Sequence, residues 1–345
     1  MRSLLWAMLL MASALSALFP GAMSAHAAQA GQAGQAAPQG ATAADNSPQA
    51  GAPVEIVVEG RHEGPRMWIV HRGDHTLWIL GTTSPLPKRM VWQPDAVQEV
   101  LKHTDEVVPA WPRYGIGVNP LTALRVYIEW RHLQKPPDQI PLRQTLPAPL
   151  YSRVEALKAR YAPRDKKLED MRPMLAAREL LTRVFDAAGL ATRNEVQAEV
   201  LELARAQGVR VRQDRLTIDD PVDVLKDVSA APLAGEIACL NSVVTLLETG
   251  LVPLQARARA WALGDVDTLR KLPLVDDRTA CIAAVSTSDR VRALIARAQN
   301  DWLVAVETSL ERNRGTLAVQ SMDRLLGEQG ALAALRAHGY TVEGP

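Results

Sequence analysis

Two short β-favouring, mostly apolar runs, Met67-Trp68-Ile69-Val70-His71 and Thr76-Leu77-Trp78-Ile79-Leu80, flank Arg72-Gly73-Asp74. β-favouring residues on either side of a Gly-Asp turn predict a hairpin. The second run leads without a break into Gly81-Thr82-Thr83-Ser84-Pro85-Leu86-Pro87, a strand-to-loop transition. After Pro94, apolar positions at Val97, Val100 and Leu101 predict a helix, and Glu106-Val107-Val108 the next short strand. Asn119-Pro120 pairs an N-cap residue with a proline at the first helical position, ahead of Leu121, Leu124, Ile128 and Leu133. Helical spacing recurs over 149–161, 172–188 and 192–207, the last closed by Gly208 as a C-cap glycine. Val209-Arg210-Val211-Arg212 alternates like a strand. Helical patterns return after Pro221, over 233–247, 254–263, 289–311 and 332–338, and Gly339-Tyr340-Thr341-Val342 closes the chain as a strand.

Few strands and many helices, with strands at both ends, predict a mixed, helix-rich α/β fold. Its small central β-sheet is built from both ends of the chain around a large helical insertion. No repeat of fixed period is present. Hydrophobic residues make up 47% of the chain and aromatic residues only 4%, so the core is aliphatic, built mostly from Leu, Val and Ala. Against 39 Lys and Arg stand 38 Asp and Glu, a net charge of +1. No basic field exists to hold a phosphate backbone, which excludes nucleic acid as a default partner.

The first residues change the domain count. Arg2, the uncharged run from Leu4 to Phe19, Pro20-Gly21 and Ala25-His26-Ala27 form the pattern of a secretory signal over 1–27, cleaved near Ala27. A retained N-terminal anchor is the competing reading, and a run of ~16 residues is short for spanning a bilayer. Residues 28–53 are almost entirely Ala, Gln, Gly and Pro with Asp45 as the one charge, a composition that cannot offset its ordering entropy and reads as a disordered linker. Residues 54–345 then form a single domain without a transmembrane segment, periplasmic or secreted. Export places Cys239 and Cys281 in an oxidising compartment and predicts that they pair. Two buried free thiols are the alternative.

Several segments resemble the TraB/GumN family. The hairpin running into Gly81-Thr82-Thr83-Ser84 is similar to the family's tryptophan-bearing hairpin followed by Gly-Thr-x-His. Trp261-Ala262-Leu263-Gly264-Asp265 resembles its aromatic-to-Gly-Asp helix junction, and Arg312-Asn313 its Arg-Asn pair late in a long helix. The segments Leu325-Leu326-Gly327-Glu328-Gln329-Gly330 and Arg336-Ala337-His338-Gly339-Tyr340-Thr341-Val342 resemble its close. The resemblance implies a scaffold on which some members, the TIKI proteins among them, are metal-dependent proteases relying on two Gly-x-x-His segments. Neutral imidazoles in such sites hold a divalent ion that lowers the pKa of bound water, and a carboxylate completes the set or acts as base.

Here the motifs depart from that pattern. Ser84 stands where the first histidine belongs, and alignment on Gly327 puts Arg324 at the second, with Ser321 at its glycine. Pro109-Ala110 follows the strand after which the family carries Glu. Gln213-Asp214-Arg215 replaces Gly-Leu-Glu. Serine is a poor ligand and the arginine guanidinium stays protonated. The expectation is a pseudoenzyme with a vestigial site at Gly81, Thr82, Ser84, Arg312, Asn313 and Arg324, holding no metal and no other cofactor.

Other residues offer alternatives. Of the six histidines after the signal, His62, His71, His75, His103, His132 and His338, only His71 and His75 are close together, flanking the hairpin turn beside Asp74; a solvated hairpin tip is the simpler reading. Ser84 reads as a nucleophile or as a hydroxyl capping the next turn. Arg312 and Asn313 suit either a carboxylate or phosphate or a structural tie between helix and sheet. Asp265 reads as an N-cap. Trp68 and Trp78 are a candidate cross-strand pair, and Trp92 with Trp111 a candidate sugar platform. The function expected is an exported envelope protein that binds another protein, a peptide or a saccharide. An active peptidase-like hydrolase with a rearranged site around Ser84, Arg312 or His71 and His75 is the alternative, so whether the chain is an enzyme stays open.

Overall fold

A computed structural model of the chain describes residues 64–345, apart from 89, 91, 111–112, 117–118, 192–193, 250, 273–278 and 328–329. The expected signal, linker and anchor, His62, Trp111, Thr192, Glu328 and Gln329 lie outside the described residues.

The hairpin forms where the two β-favouring runs predict it. Strands β1 (Met67–Arg72) and β2 (His75–Thr82) pair antiparallel about Gly73, whose φ of 60° suits a two-residue turn. The remaining strands are β3 (Leu86–Pro87), β4 (Glu106–Val108), β5 (Arg113–Gly115), β6 (Leu190–Ala191), β7 (Arg210–Val211), β8 (Arg215–Thr217), β9 (Gly315–Ser321) and β10 (Thr341–Glu343). The main sheet has the order β10-β1-β2-β9-β4-β7, so both ends of the described chain meet in it. Strands β2, β9, β4 and β7 run parallel, and β1 is antiparallel to both of its neighbours.

The central strand β9 has no counterpart in the sequence expectation. All of its residues but Ser321 are buried. A parallel strand covered on both faces has no polar side to alternate with, so periodicity does not mark it. The tryptophans of the hairpin are a second correction. Trp68 opposes Ile79 and Trp78 opposes Ile69, so the one-residue offset sends the two indoles to opposite faces.

The helices are α1 (Asp95–Leu101), α2 (Pro120–Leu133), α3 (Leu142–Thr145), α4 (Ala148–Tyr161), α5 (Pro173–Ala187), α6 (Glu195–Ala206), α7 (Pro221–Ser229), α8 (Leu233–Thr249), α9 (Val252–Ala262), α10 (Val266–Lys271), α11 (Thr279–Val285), α12 (Asp289–Arg312), α13 (Met322–Leu326) and α14 (Ala331–Ala337). Their caps follow the chemistry read from sequence. Asn119 Oδ1 accepts from Thr122 N at 2.8 Å, and Asp265 Oδ1 from Thr268 N at 2.9 Å. Gly208, two residues past α6, has φ 73°.

Two cores result. One packs both faces of the sheet, with Trp68, Leu77, Ile79, Val107, Leu317 and Val319 enclosed by Trp261, Trp302 and Val306 from the helices. The other belongs to the helical insertion and includes Val126, Leu150, Leu180, Leu240, Val244 and Val291. Cys239 and Cys281 form a disulfide that ties α8 to α11 beside this second core. Next to it the buried Arg172, at the start of α5, forms an ion pair with Glu236 in the first turn of α8.

Candidate functional site at the carboxyl edge of the sheet

In open parallel sheets, ligands bind outside the carboxyl ends of the strands. Thr82 and Ser321, the last residues of β2 and β9, are direct Cα partners. Strand β4 ends at Val108, opposite Ala318, and continues as Pro109-Ala110; β7 ends at Val211 and continues as Arg212-Gln213-Asp214. The segments expected from the family resemblance to have lost metal-motif residues, Ser84, Pro109-Ala110, Gln213-Asp214-Arg215 and Ser321 with Arg324, therefore lie at or just beyond the ends of the four parallel strands.

Packing fixes where β2 ends. A Cβ added to Gly81 would lie 2.5 Å from Met322 Sδ and 2.9 Å from the Trp68 ring, so a larger residue would force both side chains to shift. Trp261 Nε1 donates to Gly81 O at 2.7 Å and Trp302 Nε1 to Val319 O at 3.0 Å, anchoring α9 and α12 to adjacent strands. Buried Arg257 donates to Asp323 at 2.9 Å and to the carbonyls of Leu269 and Leu272 at 3.3 Å, fixing α13 and hence the backbone that carries Arg324. Arg324 itself is half-buried.

Besides the charged Arg212, Asp214, Asp323 and Arg324, amides and hydroxyls bond across this edge. Asn194 caps α6 by accepting from Gln197 N at 3.0 Å, and its Nδ2 donates to Thr82 Oγ1 at 2.9 Å. The Thr82 hydroxyl in turn donates to Gln320 O at 3.4 Å, Gln197 Oε1 accepts from Ala110 N at 2.8 Å, and Gln320 Oε1 from Ser321 N at 2.9 Å. Sequence reasoning missed Asn194, Gln197 and Gln320. The one signal available was an Asn ahead of a helical pattern, which marks a cap and says nothing of a contact across to β2.

Ser84 is half-buried, and it leads into β3 rather than into a helix or its cap. Among the described residues no histidine or carboxylate hydrogen-bonds to it, and no group of three or more His, Cys, Asp or Glu is placed to hold a metal ion. Hydroxyls and amides do not match the imidazole and carboxylate donors that a catalytic divalent ion requires. The residues present do not fit that cofactor.

The other candidates lie elsewhere. Arg312 and Asn313 precede Gly315, the first residue of β9, whereas Ser321 and Arg324 follow its far end. Seven residues of strand separate the two groups by roughly 20 Å. Arg312 is exposed. Asn313 is buried and structural: it accepts from Arg210 at 3.1 Å and donates to Glu106 Oε2 at 3.3 Å. His71 and His75 sit at the same remote end, opposite Thr76 and Arg72 respectively, so their rings point to opposite faces and form no ligand pair. His75 Nδ1 is held instead at 2.7 Å from Leu310 O. Trp92 is a core residue and no sugar platform: its ring lies 6.0 Å from that of Trp261 and its Nε1 donates to Glu199.

Comparison with known proteins agrees with this layout. The model of the TraB/PrgY/gumN family matches residues 66–344, from the start of the hairpin to the terminal strand. No curated protein and no solved structure matches the chain.

Proposed function

Because the chain belongs to the TraB/PrgY/gumN family, we propose that it keeps the family scaffold and acts by binding, without the metal-dependent hydrolysis that some members carry out. On this reading it is exported, released from its signal near Ala27 into the periplasm or beyond, and carried on the flexible segment 28–53. Its partner is an envelope protein, a peptide or a saccharide, taken at the carboxyl edge of the sheet. One observation carries the reading: Ser84, Ala110 and Ser321 stand at strand ends where imidazoles and carboxylates would have to converge. The amides beside them, Asn194, Gln197 and Gln320, are bonded to hydroxyls and main-chain groups. Such a surface recognises by hydrogen bonding and supplies neither a bound hydroxide nor a base.

A hydrolase built on Ser84 needs a group to take its proton. The nearest sequence candidates, His71 and His75, are at the other end of the sheet, which disfavours that rival. Peptidase assays on the exported protein, with zinc, manganese or cobalt added and then chelated, test the proposal. The expected result is no turnover above the no-enzyme rate with any metal. Chelator-sensitive turnover that a Ser84→Ala variant retains would establish a metal enzyme, and turnover lost in Ser84→Ala a serine-dependent one; both would refute it.

A further inference from the structure

Exposed apolar surface is concentrated on α2, where Leu121, Leu124, Tyr127 and Ile128 are 69%, 47%, 40% and 42% exposed. The helix is apolar on two sides. Val126 and Leu133 are buried with Val222 and Leu225 of α7 in the core of the helical insertion. Leu121, Leu124 and Ile128 recur at i, i+3 and i+7, which stacks them in one stripe on the side turned away from α7. A contiguous apolar stripe facing solvent marks a surface that something else covers.

The exposed charges of this helix have one sign. By helical spacing Arg125 and His132 flank the stripe on one side and Arg131 on the other, with Lys135 just past the last turn, and all four are exposed. Glu129, the acid of the helix, is half-buried, and Asp138 follows in the short turn Pro137–Gln139. On α7 beneath, Asp223 is paired with Lys226 at 3.4 Å and Asp227 with Arg290 at 3.1 Å. The outward positions are exposed from Leu121 to Gln134, so the stripe is the crest of a ridge and not the floor of a groove. A ridge of leucine and isoleucine edged by cations suits the boundary of a bilayer with anionic headgroups, where apolar side chains enter the acyl region and Arg and Lys stay among the phosphates. Pairing of two copies through this face would set the same cations against one another.

We infer that α2 is a peripheral membrane contact: it lies in the plane of an anionic lipid surface, with Leu121, Leu124 and Ile128 inserted and Arg125, Arg131 and Lys135 on the headgroups. At 14 residues, about 21 Å, the helix is too short to cross a bilayer, and α7 holds its other side. This goes beyond the binding function proposed above, which concerns the carboxyl edge of the sheet, and stands or falls separately from it.

A nitrobenzoxadiazole fluorophore on Leu124→Cys tests this in the full chain; Cys239 and Cys281 are bonded to each other, so the new thiol is labelled alone. The same label on Val304→Cys, exposed on α12, controls for any tethering by the apolar run 4–19. With vesicles of equal parts phosphatidylcholine and phosphatidylglycerol, the Leu124→Cys label should brighten and shift to the blue while the Val304→Cys label does not. Pure phosphatidylcholine vesicles should need at least about tenfold more lipid for the same change. Adding Arg125→Gln, Arg131→Gln and Lys135→Gln together, or Leu121→Gln with Ile128→Gln, should weaken the response to anionic vesicles at least about tenfold. Raised salt should weaken it in the labelled parent, and that titration is read should a variant not fold. No blue shift on either vesicle, an equal shift at both labels, an equal shift on neutral vesicles, or charge variants and salt without effect would overturn the inference. A shift that appears without lipid as the protein concentration rises assigns the face to a second copy, and one produced only by an acidic amphipathic peptide assigns it to a protein; either result also overturns it.

Discussion

Trp261 donates its indole N–H to the main-chain oxygen of Gly81 at 2.7 Å, joining residues 180 apart in sequence where β2 gives way to Thr83 and Ser84. The ring is wholly buried, so no water replaces the donor if it is removed. Trp261→Phe keeps most of the apolar surface and leaves that carbonyl unpaired, at a cost of roughly 1–3 kcal/mol. Urea unfolding should show the loss as a lower midpoint with an unchanged slope.

The Arg172 and Glu236 side chains are 4% and 0% exposed, and the guanidinium also donates to Ser229 O at 2.9 Å. Removing one partner leaves the other charge buried, so Glu236→Leu should destabilise by about 3–5 kcal/mol. The double variant Arg172→Met with Glu236→Leu should recover much of that in the same titration. Ser229→Ala removes a buried hydroxyl that has no partner among the described residues and should leave stability unchanged or raise it.

The Cys239–Cys281 bond closes a loop with a sequence separation of 42. Chain entropy assigns such a loop about 4 kcal/mol, and loss of a native disulfide generally costs ~2–5 kcal/mol. Reduction, or Cys239→Ser with Cys281→Ser, should lower the thermal midpoint. Non-reducing mass spectrometry of the native protein should find neither thiol open to alkylation before unfolding.

Asp265 links stability to pH at the start of α10. Hydrogen bonds from the Thr268 hydroxyl and main-chain N–H hold its carboxyl below the usual range. A folded-state pKa below the unfolded one gives stability that is complete above the unfolded value, near 4, and is lost as the pH falls through the folded value. The advantage of the native protein over Asp265→Asn should therefore be present at pH 6 and disappear on titration below about pH 4.

What the chain order disclosed and what it hid divide along physical lines. The hairpin was readable because two β-favouring runs flank Arg72-Gly73-Asp74, and α2 because Asn119-Pro120 marks its start. Strand β9 was hidden because Thr316, Leu317, Ala318, Val319 and Gln320 are buried without regard to polarity. Ser84 and Arg324 were singled out by the family resemblance, and the topology places both beyond the carboxyl ends of adjacent strands. The residues that face one another there could not be read. Asn194 meets Thr82 across 112 residues and Gln197 meets Ala110 across 87, and no local pattern encodes either contact. The same lack of long-range information made Arg312, Asn313, His71 and His75 candidates, although the strands carry them to the opposite end.

The central claim is that the carboxyl edge of this sheet binds without a metal. Quantifying metal in the purified native protein, after dialysis against metal-free buffer, tests it most directly. The account predicts zinc, manganese and cobalt each far below one equivalent per chain, unchanged in Ser84→Ala. One equivalent of any of them, retained through dialysis and lost on substitution at the strand ends, would contradict it.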